Sequence, residues 1–171
     1  MILPIALLLL LAALALWWVA ARLQQQTGLP HARVVYDDAG ATRIEPPPLV
    51  DHRWRLAGRP DYLLEQNGGY IPVEVKPTRR ASQPYDSDLM QLAAYCRLVE
   101  AHYGKRPTHG ILRYASHSFA IPYTEEVEEQ LGETLRLMAE AERQGTAHRS
   151  HTQAARCRSC SQRAHCDEAL P

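Results

Sequence analysis

Asn67-Gly68, lying between two apolar-rich stretches, is the feature that most constrains what this chain can fold into. It is the strongest short signal for a two-residue hairpin turn, because both loop positions need a left-handed backbone that Asn and Gly tolerate. A hairpin closed there predicts a register, with Asp61 directly across from Glu74 and Arg59 across from Lys76. Residues two apart share one face of a strand, so Asp61, Glu74 and Lys76 are expected to converge. Opposed Cβ atoms lie roughly 4.5–5.5 Å apart, a spacing at which two carboxylates can grip one divalent ion. Like charges face to face are destabilising, and a cation between them removes the conflict. A solvated hairpin face that happens to carry charge is the alternative these residues leave open.

The flanking sequence predicts the rest of a sheet and its helices. Arg33 to Tyr36 reads as a first strand, closed by the turn Asp37-Asp38-Ala39-Gly40. Pro46-Pro47-Pro48 must lie in a loop or at an edge, since proline cannot donate to a ladder. Trp54 to Glu65 and Tyr70 to Lys76 are the two arms of the hairpin, and Val73 and Val75 give it an apolar side. Asp86 or Ser87 should cap a helix that runs to about Tyr103 and stops at Gly104. Strands at Gly110–Tyr114 and Ser118–Tyr123 follow, and Thr124 should cap an acidic helix reaching about Arg143. Strands, helix, strands, helix in that order predict an α/β fold with a mixed sheet.

Ahead of this body lies a run of another kind. Ile2 to Ala21 is uncharged, holds eight leucines, and ends near Trp17 and Trp18. Twenty such residues in a helix span roughly 30 Å, the thickness of a bilayer core, with the tryptophans where an interfacial belt would place them. Arg22, His31 and Arg33 follow the run and no lysine or arginine precedes it. That asymmetry predicts a single-pass anchor over residues 2–21 with the body on the cytoplasmic side of the cell membrane. A cleaved signal peptide ending at Val19-Ala20-Ala21 is the rival, disfavoured by the uncharged start and the length of the apolar stretch. The expected organisation is an anchor over 1–21, a linker over 22–32, a core over 33–146 and a cysteine-bearing segment over 147–171.

Net charge is zero over the 171 residues, so no global field draws this protein to nucleic acid. Its distribution is uneven. Basic residues gather at Arg53, Arg55, Arg59, Lys76, Arg79 and Arg80, and again at Arg149, Arg156, Arg158 and Arg163. Patches of this kind can hold a phosphate backbone, and they are also common on ordinary surfaces.

The expected first long helix carries Gln91-Leu92-Ala93-Ala94-Tyr95, which stacks Gln91 and Tyr95 on one face four residues apart. Gly58-Arg59-Pro60-Asp61, then Glu74-Val75-Lys76, then Gln91-x-x-x-Tyr95 on the following helix is an ordered set. It resembles the PD-(D/E)XK nuclease superfamily, and within it the RecB-like and CRISPR-associated RecB-family exonucleases, over roughly Arg53 to Asp167. The resemblance implies a restriction-endonuclease-like core in which a central mixed sheet is flanked by helices. It implies Mg2+ or Mn2+ held by Asp61, Glu74 and the Val75 carbonyl. Lys76 would position or help deprotonate the attacking water, and Gln91 and Tyr95 would support the site and the strand.

Cys157-x-x-Cys160-x5-Cys166 near the C-terminus is a third signature. Clustered thiols in a chain expected to face the cytoplasm read as metal ligands more than as a disulfide. In the family that the chain resembles, three C-terminal cysteines join one upstream of the core to hold a [4Fe–4S] cluster. This sequence departs from that pattern, because no cysteine precedes Cys96. Cys96 reads more readily as a small buried apolar residue than as the fourth ligand. Zinc completed by His151 or, less easily, His165 is the alternative for this segment.

The reading that joins these features is a membrane-anchored, metal-dependent deoxyribonuclease of exonuclease type, acting on DNA that is single-stranded or has free ends. Its implied partners are CRISPR adaptation or repair proteins. A catalytically silent nucleic-acid-binding scaffold of the same fold and a membrane-tethered zinc protein are the alternatives.

Overall fold

β-branched and aromatic runs broken by turn residues give this chain a five-stranded sheet and one small hairpin, with a long helix between strands. The structure is a computed structural model that describes residues 10–19, 33–37 and 47–171. Residues 10–19 form a helix, α1. Then follow β1 (Arg33–Asp37), β2 (Leu49–Asp51), β3 (Leu56–Gly58), β4 (Tyr62–Gln66) and β5 (Gly69–Lys76). After them come α2 (Asp86–Tyr103), β6 (His109–Tyr114), β7 (Ser118–Pro122), α3 (Glu125–Gln144), α4 (Ala154–Arg158) and a 3-10 turn, Arg163–His165.

The main sheet has the order β1-β4-β5-β6-β7. Only β5 and β6 run parallel, with Val73 to Lys76 beside Ile111 to Tyr114, and every other neighbouring pair is antiparallel. A parallel pair needs a long crossover, and α2 supplies it. β2 and β3 pair in a separate two-stranded sheet. The mixed sheet with helices is the α/β architecture expected from the order of elements.

Asn67 and Gly68 do form the turn between β4 and β5, with φ of 51° and 69°, and Gln66 faces Gly69 as the two-residue loop requires. The first arm of the hairpin is shorter than expected. It starts at Tyr62 rather than Trp54, because Trp54 lies in the turn between β2 and β3, and Pro60 interrupts the chain before β4. Arg59 therefore has no ladder position opposite Lys76. Pro72 sits inside β5, which has partners on both sides in the sheet. It is tolerated because pairing with β6 begins only at Val73.

Both faces of the sheet are apolar. Leu63, Leu98, Val99 and Leu49 form one buried cluster, and Leu92, Leu112 and Tyr114 another, so α2 packs along one face. Leu64, Ile71, Val73 and Ile111 form a cluster of their own. Leu63 and Leu64, like Ile111 and Leu112, are sequence neighbours that point to opposite sides, which is why these strands read as continuous apolar runs. α2 begins after Tyr85 with no side-chain cap, so neither Asp86 nor Ser87 caps it; it ends at Gly104 in the left-handed region, φ 67°. Thr124 does cap α3, its hydroxyl accepting from the Val127 N–H at 3.4 Å.

No helix among the described residues is long and apolar enough to cross a membrane. The expected anchor over residues 2–21 is described only at 10–19, and ten helical residues rise about 15 Å, half of what a bilayer core needs. The expectation of a single-pass membrane protein is corrected accordingly, since an apolar run fixes hydropathy but not helix length. Residues 2–9, 20–21 and the expected linker over 22–32 lie outside the described residues. The chain divides into two compact units, Met1–Leu131 and Gly132–Pro171.

Candidate active site

β5 presents Glu74 and Lys76 on one face at its C-terminal end, as strand periodicity requires, and α2 lies across that face. Gln91 and Tyr95, one helical turn apart, come down onto them. The Lys76 ammonium lies 2.7 Å from Glu74 Oε1 and donates to Gln91 Oε1 at 2.8 Å. The Gln91 amide donates to Glu74 Oε1 at 2.8 Å and to the Tyr95 hydroxyl at 3.0 Å. One glutamine thus bridges the carboxylate, the ammonium and the phenol. Gly58 leaves room for the aromatic ring, since a Cβ there would stand 3.1 Å from Tyr95 Cε1.

Asp61 joins this group from just before β4. The register would set it opposite Glu74, but the strand has not yet begun at Asp61. Its Oδ2 instead accepts the Val75 N–H at 2.7 Å, which pins the carboxylate to the backbone between Glu74 and Lys76. Asp61, Glu74, Lys76, Gln91 and Tyr95 are therefore brought together.

The electrostatics are those of a crowded acid pair beside a cation. Burial raises the Glu74 carboxyl above its ordinary value, and the nearby Asp61 charge adds to this, against the pull of Lys76. Burial works against the charge on Lys76 too, yet the hydrogen bond and the charge of Glu74 outweigh it and hold the ammonium above its usual range. The same contact thus protects the lysine charge without bringing the glutamate down, because Glu74 is the more buried partner, its side chain 6% exposed against 26%. Burial, and then the charges of Glu74 and Asp61, keep the Tyr95 phenol protonated despite the Gln91 hydrogen bond.

Asp61, just before β4, and Glu74 in β5 are hard oxygen donors, and with the Val75 carbonyl they suit Mg2+ or Mn2+. The C-terminal thiols are a different matter. Cys157, Cys160 and Cys166 line one cavity of about 200 Å³ together with His148 and His151; His165 is not part of its lining. However, among the described residues no group of three or more His, Cys, Asp or Glu side chains is drawn together closely enough to hold a metal ion. Cys96 is 1% exposed within α2, and burial pushes its thiol up to about 12, the opposite of what a thiolate ligand needs. Among the described residues, neither the [4Fe–4S] cluster nor the zinc alternative has an assembled ligand set.

Three further residues stand next to the site and were not legible as a group. Asp88 is buried, accepts the Tyr114 hydroxyl at 2.6 Å, and lies 3.5 Å from Arg79 Nε. Arg79 was visible only as part of a basic cluster, and no local pattern links Asp88 to Tyr114, 26 residues away.

The profile of the PD-(D/E)XK nuclease superfamily matches residues 5–167 of this chain. No curated protein matches it. Among solved structures, the crystal structure of SSO0001 matches with a TM-score of 0.50 and 24% identity, covering 67% of this chain and 52% of that one. An identity that low speaks for the fold alone, and the chain spans about half the length of that relative.

Proposed function

Because the chain belongs to the PD-(D/E)XK nuclease superfamily, we propose that it is a metal-dependent deoxyribonuclease, of exonuclease type, that hydrolyses phosphodiester bonds at the site formed by Asp61, Glu74, Lys76, Gln91 and Tyr95. The observation that carries this reading is the Gln91 bridge, which ties the acidic residue and the lysine of β5 to Tyr95 on α2 through bonds of 2.8–3.0 Å. Asp61, Glu74 and the Val75 carbonyl would hold the divalent ion. Bound there, Mg2+ or Mn2+ supplies a water of lowered pKa and offsets charge gathering on the phosphate.

The protein's own groups define the rest. Lys76 is held charged beside Glu74, placed to face the developing negative charge and to fix the approach of water. Gln91 holds Lys76 and Glu74 in mutual register, so that neither swings into solvent. The protonated Tyr95 hydroxyl caps Gln91 and keeps the amide from turning over.

Cleavage of an end-labelled single strand in Mg2+ or Mn2+, alongside a covalently closed circle of the same sequence, tests this. Expected are divalent-dependent shortening of the linear strand, an intact circle, and loss of at least about 100-fold in rate for Glu74→Gln, Asp61→Asn and Lys76→Ala. Circles cut as fast as linear strands would replace the exonuclease assignment with an endonuclease. Undiminished cleavage by Glu74→Gln would remove this site from the chemistry.

A further inference from the structure

The loop between β5 and α2 carries an arginine held ready on two sides. Its Nε edge faces Asp88 Oδ2 at 3.5 Å, and its guanidinium carbon lies 4.5 Å over the Tyr85 ring. Both supports are themselves fixed. The Tyr114 hydroxyl donates to Asp88 at 2.6 Å and accepts the Tyr85 N–H at 3.0 Å. The loop backbone is pinned as well, since the Arg79 N–H donates to the Lys76 carbonyl and the Arg79 carbonyl accepts the Ala115 N–H, at 3.0 and 2.9 Å.

What remains is the outer edge of the guanidinium. The Arg79 side chain is 43% exposed, and its ion pair with Asp88 runs through Nε rather than the terminal nitrogens. A stacked guanidinium with one edge anchored and the other open is a receptor for a planar or tetrahedral anion, and its fixed position lowers the entropy lost on binding. Its location says which anion. The chain reaches Arg79 three residues after Lys76, and Asp88 is close enough for its charge to act on the Lys76 ammonium.

On the basis of the nuclease reading, we propose that Arg79 is a substrate-positioning residue that grips a backbone phosphate of the bound strand flanking the bond to be cut, and that Asp88, Tyr114 and Tyr85 hold it in place. Tyr85, 44% exposed beside it, presents the open part of its ring to the same strand.

The test is binding of a fluorescein-labelled oligothymidylate by the full chain, followed by anisotropy over a salt series with Ca2+ replacing Mg2+ to prevent turnover. Arg79→Ala should weaken binding about 10-fold at low salt and reduce the slope of log K against log salt by about 0.7, one phosphate contact on a single strand. Arg79→Lys should restore the slope but only part of the affinity, because an ammonium cannot stack or bond bidentately. Asp88→Asn should keep the wild-type slope while weakening binding, since the charge stays but its support is lost. If Arg79→Ala does not fold, Arg79→Gln keeps the stem and a planar head against Tyr85 and carries the same slope test. A folded Arg79 variant with the wild-type slope, in a protein that does cleave DNA, would overturn this inference alone. A wild-type chain that neither binds nor cuts would overturn the nuclease reading and this inference with it.

Discussion

Glu74 is the residue at which folding and chemistry conflict. Burial first, and the Asp61 charge after it, hold its carboxyl above the ordinary 4.5 in spite of Lys76. Folding therefore favours its protonated form. The sign follows directly: the stabilising contribution is fully present below the unfolded value of 4.5 and is lost as pH rises through the raised folded value. In metal-free protein, Glu74→Gln should raise the urea midpoint at neutral pH and change it little at the acid end of that window. A midpoint lowered at neutral pH by more than at the acid end would mean that the glutamate charge is stabilising after all. Protons should also compete with Mn2+ in the same window, so affinity by calorimetry should fall as pH drops towards the Glu74 range. Glu74 and Lys76 were legible in the sequence because strand alternation is set locally, while Asp61 reaches them from just before the ladder, through the Val75 N–H. The Asp88–Tyr114 pair was not, because its partners are brought together only by the crossover of α2.

At the scale of elements, the turn and the two long strands on either side of it were readable, while the start of β4 was not. Leu56-Ala57 and Tyr62-Leu63-Leu64 flank Gly58-Arg59-Pro60-Asp61, a break short enough to pass within one hairpin arm although it separates two sheets. α2 was legible through Gln91 and Tyr95, but how closely it approaches the sheet was not. That approach is set at Gly110 in β6, where a Cβ would lie 2.7 Å from Leu92 Cγ and 2.8 Å from Leu92 Cδ1. Leu92 is 1% exposed and follows Gln91 directly, so it has nowhere to go without moving the helix. Gly110→Ala is expected to cost about 1–3 kcal/mol by overpacking. Because the displaced turn carries Gln91, cleavage should fall by more than substrate binding does. A variant of wild-type stability and rate would show that Leu92 yields by changing rotamer alone.

For the molecule as a whole, the mixed sheet could be read from the order of elements and the superfamily likeness from the order of motifs. The N-terminal apolar run predicts a spanning helix, and no helix among the described residues is long and apolar enough to be one. What no motif shows is the charged join of β2, α2 and α3. Arg97 lies 2.8 Å from Asp51 Oδ2 and 3.5 Å from Glu128, over the face of Trp54. Asp51 is 5% exposed and also accepts the N–H groups of Arg53 and Trp54 at 2.9 and 3.1 Å. Burial alone would raise its carboxyl, but the Arg97 hydrogen bond and charge, with the two N–H donors, take it below the ordinary 3.8. The linkage here has the sign opposite to Glu74: its contribution is present above 3.8 and is lost as pH falls through the lower folded value. Truncating Arg97 leaves the carboxylate buried without its cation, so Arg97→Ala should cost roughly 3–5 kcal/mol at neutral pH. The loss should shrink in strong acid, where Asp51 is protonated in both states. Paired urea titrations of wild type and Arg97→Ala at neutral and strongly acid pH check it. A pH-independent difference would assign the role of Arg97 to its packing on Trp54, and the double variant Asp51→Asn, Arg97→Met decides between the two. If charge is the cause, replacing both partners should recover much of the stability that the single change removes.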